Sequence, residues 1–160
     1  MLNLIACIDK YNSIGLNNDL IYKFKDDLHI FKQKTINNTV IMGRKTFESL
    51  NNNPLPNREN IIISKTLSES KNNSYSVFKN INDVFKISAN KTVFIIGGKQ
   101  IYEYFNPYYD EIHLTVVKNE FTKNYNINDS IKLNINLDNF KIISSQNFEK
   151  FHINIYKRLP

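Results

Sequence analysis

Asp27 is the side chain of this sequence with the clearest chemical potential, because of what surrounds it in FKDDLHIFKQKT at 24–35. On a helix, Phe24, Leu28 and Phe31 fall at i, i+4 and i+7 and form one apolar stripe, with Asp27 on its flank and Asp26 turned nearly the opposite way. Asp26 then reads as a solvated first-turn acid, worth about 0.3–1 kcal/mol through the helix dipole. Asp27 sits partly desolvated among aromatic rings, where a carboxylate needs a partner. Such a group can recognise a pair of donors on a ligand and favour positive charge beside it. Two ordinary acids near a helix start fit this stretch equally well when it is taken alone.

Arginine and glycine supply the other candidates. In a chain this rich in lysine, only Arg44, Arg58 and Arg158 are arginine, and arginine is hard to replace where a planar fork must hold a carboxylate or phosphate. Packing of the aliphatic stem is the plain alternative for Arg44 and Arg58. Gly43-Arg44 and Gly97-Gly98 each stand between an apolar run and a helix start, where free N–H groups and the dipole favour an anion. An ordinary strand-to-helix turn is the simpler reading of either pair.

The elements that must position these residues are legible as runs. LNLIACI at 2–8 is a strand covered on both faces. DKYNSIGLNNDLIY at 9–22 has no sustained period and reads as a long, lid-like loop. The helix at 25–35 follows, then a strand at 39–42, a turn at Gly43 and a short helix to Leu50. NNNPLPNREN at 51–60 is a proline-bearing loop carrying Arg58, and it feeds a strand at 61–64 with Ser64-Lys65 at its carboxyl end. Strands at 75–78 and 92–96, helices at 82–88 and 99–105, and a strand at 111–118 containing Thr115 come next. The tail at 140–159 reads as an antiparallel hairpin turning near 147–150. These elements predict a single α/β domain over 1–160, with a mainly parallel central sheet, flanking helices and an antiparallel C-terminal edge. Its ligands belong at the carboxyl ends of the strands. The Gly97-Gly98 pair falls short of G-x-G-x-x-G, so a Rossmann fold is not indicated.

With 160 residues the chain can bury about 70 % of its unfolded surface without staples. Cys7 is the only cysteine and lies in an apolar run, which predicts a buried thiol in a reducing compartment. MLNLIACID has no basic signal region and no run approaches the ~18 apolar residues of a membrane helix, so a cytoplasmic protein with no membrane contact is expected. The net charge of +6 suits an anionic ligand, and lysines spread along the chain suggest no dedicated nucleic-acid surface.

LIACI at 4–8, Ile14-Gly15, Asp27 with Leu28 and Phe31, VIMGRKTFESL at 40–50, PLPNRENIIIS at 54–64, IIGGKQIYE at 95–103 and Leu114-Thr115 occur in the order and spacing of dihydrofolate reductases. The sequence resembles that family along nearly its whole length. The resemblance implies NADPH-dependent reduction of dihydrofolate to tetrahydrofolate for one-carbon metabolism, by a monomer that also takes antifolate-like small molecules. It implies that Asp27, supported by Thr115, binds the amidine-like edge of the pterin and promotes protonation of the ring imine. Ile5, Ala6, Leu28, Phe31 and Leu50 would line the pterin and aminobenzoyl pocket, with Arg58 forked onto the glutamate carboxylate. On the cofactor side it implies Arg44, Lys45 and Thr46 with Ser64 and Lys65 at the adenosine phosphates, and the backbone of Gly97, Gly98, Lys99, Gln100 and Ile101 at the pyrophosphate. Ile14 and Tyr102 would pack the nicotinamide, with Ala6, Gly15, Leu20 and Gly43 nearby. Lys45 and Lys65 would favour NADPH over NADH.

Three positions depart from the family. Its Pro-Trp before the helix is Ile21-Tyr22 here, and the Tyr22 hydroxyl is expected to order a catalytic water between protein and substrate. KNYNIN at 123–128 stands where relatives carry a Gly-Asp loop that steadies the lid, and Leu20 where some have methionine. A same-fold reductase of another pterin or of a riboflavin precursor is not expected to keep both Asp27 and Arg58. A basic nucleic-acid-binding module is the alternative of a different class.

Overall fold

The strand-like runs do become one sheet in the computed structural model, which describes residues 1–160. In chain order the elements are β1 (Leu2–Ile8), β2 (Ser13–Leu16), β3 (Asp19–Leu20), α1 (Lys25–Thr35), β4 (Thr39–Gly43), α2 (Arg44–Ser49) and β5 (Glu59–Ile63). They continue as β6 (Ser76–Phe78), α3 (Asp83–Ser88), β7 (Val93–Gly97), α4 (Lys99–Tyr104), β8 (Glu111–Val117), β9 (Ile131–Lys132), β10 (Phe140–Asn147) and β11 (Phe151–Arg158). The main sheet runs β10-β11-β8-β1-β7-β4-β5-β6. From β8 to β6 every pairing is parallel. β11 is antiparallel to β8 and β10 to β11, which gives the antiparallel edge predicted from the sequence.

The central strands read as unbroken apolar runs because their side chains alternate between two cores. Leu4, Ile41, Ile61 and Ile95 enter one core with Tyr102, Phe105 and Tyr109. Their neighbours Ile5, Met42, Ile62 and Phe94 enter the other with Phe47. Each fully buried Ile or Leu contributes about 1.5–3 kcal/mol, so both faces are held by several such residues.

One expectation is corrected. The stretch 9–22 is not an irregular loop: β2 and β3 form a hairpin that pairs with β9 in a small separate sheet. Asn17 and Asn18, with φ of 52° and 56°, make its turn, a conformation that asparagine tolerates well. Four- and two-residue strands show no readable alternation, and β9 lies far along the chain. The α1 stripe is partly buried: Phe31 packs against the core of Ile5, Met42 and Phe47, and Phe24 against Ile21, Tyr22 and Val117. Thr35 is the helix's only buried residue, and Leu28, 41 % exposed, lines a cavity beside Phe31.

Candidate active site

Two adjoining cavities open along the carboxyl ends of the parallel strands. The narrower, about 330 Å³, lies between α1 and the sheet, and the wider, about 1080 Å³, runs over the starts of α2 and α4. Ala6, Cys7, Leu20, Thr46, Ser49, Ile96 and Tyr102 line both, so ligands in the two meet across this shared wall.

Asp27, Tyr22, Thr115, Ile5, Ala6, Leu28, Phe31, Leu50 and Arg58 all line the narrow cavity. Asp27 does not simply follow a sheet strand; α1 carries it across the sheet edge to β8, where the Thr115 hydroxyl donates to its Oδ1 at 2.5 Å. Burial pushes the Asp27 carboxyl above the usual carboxylate range, while the Thr115 hydrogen bond and the Lys34 ammonium pull it back. A carboxylate with one protein donor keeps acceptor capacity for a ligand.

Arg58 lines the same cavity. Its Nε donates to the Pro56 carbonyl at 2.9 Å and its Nη1 to Thr35 Oγ1 at 3.1 Å, and it makes no carboxylate ion pair. The loop that bears it is braced by buried Asn60, which accepts from Leu55 N–H and donates to the carbonyls of Leu55 and Arg58 at 2.9–3.0 Å. This brace was not read from the sequence, where Asn60 is one of many asparagines.

Tyr22 is placed as expected but acts differently. Its ring lines the cavity, whereas its hydroxyl donates to Asp9 Oδ2 at 2.8 Å and accepts from Lys123 N–H at 3.2 Å. A buried phenol takes a carboxylate as its strongest available acceptor, so the hydroxyl proton is committed to Asp9 and is not donated into the cavity.

Lys34 and His113 also line this cavity, and both escaped the sequence reading. The signals were Lys34 at i+7 from Asp27 and His113 two residues before Thr115, each on the same face as its partner. His113 Nε2 meets Glu111 Oε2 at 3.0 Å. Burial lowers the pKa of both groups, with Asp27 and Glu111 opposing that for Lys34 and Glu111 opposing it for His113.

Ala6, Ile14, Gly15, Leu20, Gly43, Arg44, Lys45, Thr46, Ser64, Lys65, Gly97, Gly98, Lys99, Gln100, Ile101 and Tyr102 all line the wide cavity. Its floor carries glycines closely approached by neighbouring side chains. Gly97 has φ +131°, and a Cβ there would lie 3.2 Å from Thr46 Oγ1; a Cβ on Gly43 would lie 2.9 Å from Ile101 Cδ1. A side chain at Gly97 would be strained, and one at Gly43 would displace the end of the Ile101 side chain. Lys45, Lys65 and Lys79 line this cavity with no carboxylate partner, and Lys79 was not anticipated. Arg44 is paired with Glu48, and Lys99 is turned to Glu103 at 2.6 Å and to the Lys132 carbonyl at 2.7 Å. The Tyr102 hydroxyl donates to the Ile5 carbonyl at 2.8 Å, so the ring and not the polar tip is what this residue offers a ligand. Free lysines, a glycine floor and an apolar patch of Ala6, Ile14 and Ile96 next to the narrow cavity fit a phosphorylated dinucleotide with one flat ring at the junction.

These features agree with comparisons made on the whole chain. A family model described as dihydrofolate reductase matches residues 1–158. The dihydrofolate reductase of Ureaplasma parvum is 31 % identical over 98 % of this chain and 96 % of its own length. That of Bacillus subtilis is 34 % identical over 98 % of this chain and 89 % of its own. Among solved structures, dihydrofolate reductase from Enterococcus faecalis complexed with NADP(H) and RAB-propyl has a TM-score of 0.85, covers 99 % of this chain and 96 % of that one, and at 24 % identity carries the fold alone. A family model spanning almost every residue, joined to the Asp27–Thr115 pair beside a glycine-floored cavity, means that this chain belongs to the dihydrofolate reductase family.

Proposed function

We propose that this chain reduces dihydrofolate to tetrahydrofolate with NADPH, binding the pterin in the narrow cavity and the cofactor in the wide one. The observation that carries the reading is the Asp27 carboxylate, hydrogen-bonded by Thr115 alone, in a mainly apolar cavity that also presents Arg58 and shares a wall with the glycine-floored one. The wide cavity's free lysines and cradle fit NADPH, which when bound supplies the hydride.

Everything else is done by the chain. Asp27 accepts the donor pair on the pterin's amidine-like edge, with Thr115 orienting the carboxylate, and its negative charge favours a proton on the neighbouring ring imine. Ile5, Phe31, Leu28 and Leu50 exclude water around the ring system, which strengthens that interaction. Arg58 presents its remaining N–H groups to the glutamate carboxylate. Lys65 and Lys45 favour a 2′-phosphate and therefore NADPH over NADH. Arg44 joins them only by loosening its pairing with Glu48.

Asp27 and Arg58 in one cavity favour a folate over a smaller pterin or a riboflavin precursor, which have no glutamate tail for the arginine. The same cavity suits antifolate-like molecules that carry a donor pair. No helix is long and apolar enough to cross a membrane. The single free cysteine, Cys7, suits a reducing, cytoplasmic setting, and we read the chain as one monomeric domain with no dedicated nucleic-acid surface.

The test is NADPH oxidation followed by absorbance with dihydrofolate present and absent, alongside RNA binding as a function of salt. Oxidation that requires dihydrofolate supports the function. Steeply salt-dependent RNA binding without NADPH binding would replace it with the nucleic-acid reading.

A further inference from the structure

We propose that Asp9 is a positioning residue for this reduction: a buried carboxylate, outside both cavities, that fixes the Tyr22 ring in the substrate wall and ties it to the hairpin walling the cofactor cavity. The inference rests on the two cavities taking pterin and NADPH.

Asp9 is 1 % exposed and lines neither cavity. Its Oδ1 accepts the N–H groups of Tyr11 at 2.9 Å and Ser13 at 3.2 Å. Its Oδ2 accepts the hydroxyls of Tyr22, at 2.8 Å, and Tyr125. Two oxygens with four donors are saturated, so this carboxylate has nothing left to offer a ligand.

Each donor leads to a different part of the site. Tyr22 presents its ring to the substrate cavity. Ser13 opens β2, whose Ile14, Gly15 and Leu16 wall the cofactor cavity. Tyr125 belongs to the segment that also holds Lys123, whose N–H caps the Tyr22 oxygen and whose Nζ donates to the Ile21 carbonyl at 2.8 Å. That segment continues to Ser130, whose hydroxyl meets Ser13 Oγ at 2.8 Å. The two cavity walls are therefore linked through one carboxylate by direct hydrogen bonds.

Packing alone does not call for this arrangement. A carboxylate taken out of water is costly, and an apolar side chain of similar volume often serves stability as well or better. What the charge adds is direction, since a phenol donating to a fixed acceptor has a fixed ring. Burial, and then the Asp9 contact, push the Tyr22 hydroxyl upward and the Tyr125 hydroxyl to about 12, so both remain donors at neutral pH.

The experiment uses single-turnover hydride transfer at saturating NADPH and dihydrofolate, with thermal midpoints, for wild type, Asp9→Asn, Tyr22→Phe and the double variant. Each single substitution is expected to slow hydride transfer by about tenfold, and the double variant also by about tenfold, because both remove one linkage. A double variant slowed by about a hundredfold, the product of two independent effects, overturns the proposal. So does an Asp9→Asn variant whose midpoint falls while its hydride transfer is unchanged. If Asp9→Asn does not fold, Tyr22→Phe decides: it keeps the ring and deletes the hydroxyl that joins it to Asp9 and the Lys123 N–H, so a slowed rate supports the proposal and an unchanged rate overturns it. Inactive wild-type protein would overturn the proposed function and this inference with it, whereas active wild type with unaffected variants overturns this inference alone.

Discussion

Replacing Asp27 with asparagine should separate the chemistry of this site from its stability, moving the two in opposite directions. The amide keeps the shape and the contact with Thr115 but removes the charge that favours a protonated pterin. Two unit charges about 4 Å apart attract by about 4 kcal/mol at an effective dielectric of about 20. The Lys34 ammonium on the same helix opposes part of that attraction, leaving about 3 kcal/mol, or roughly a hundredfold in hydride transfer at neutral pH. The loss should shrink as pH falls and the pterin is protonated by solvent, by about tenfold per pH unit. Stability runs the other way. Burial raises the folded-state pKa of Asp27 above its unfolded value, so its stabilising contribution is present below the ordinary carboxylate range and is lost as pH rises through the elevated value. Asparagine has no charge to bury, so the ligand-free variant should melt above wild type at neutral pH, with the gap closing in acid. Stopped-flow hydride transfer and melting curves across pH read both halves. Hydride transfer within about threefold of wild type at neutral pH would refute the electrostatic argument, and a lower midpoint at neutral pH would refute the desolvation argument.

Three further outcomes follow from the same geometry. Arg58→Gln should raise KM for dihydrofolate by about ten- to hundredfold with kcat little changed, since one charged hydrogen bond is worth about 1.5–3 kcal/mol and lies far from the reacting carbon; an equal fall in kcat would place the arginine in the chemical step. Lys65→Ala should weaken NADPH binding by about tenfold or more and leave NADH almost untouched, and equal weakening of both by fluorescence titration would move Lys65 off the 2′-phosphate. Gly97→Ala should cost about 1–3 kcal/mol, because φ +131° disfavours any side chain. In a chain of this size that lowers the thermal midpoint by about 2–4 °C per kcal/mol, and an unchanged midpoint would show that the cradle relaxes without strain.

The sequence alone determined the strands of the central sheet and the two glycine turns, because each is encoded over a few neighbouring positions. An unbroken apolar run marks a strand with two covered faces, and glycine before a helix marks a backbone approach. The residues that the family resemblance implies for the pterin and the cofactor all line one cavity or the other. Periodicity also put Asp27 on the flank of the α1 stripe, yet it could not say what the stripe faced; Leu28 is half-open because it lines the narrow cavity. Tertiary structure alone decided the hydrogen-bond partners of Tyr22. The Tyr22 hydroxyl is bonded to Asp9, 13 positions earlier, and to Lys123, 101 positions later, and β2 pairs with β9 although β4 to β8 lie between them in the chain. A hydroxyl or a four-residue strand has no periodic signature, so its partner is chosen by the fold that brings distant segments together and by the cost of leaving a buried polar group unpaired.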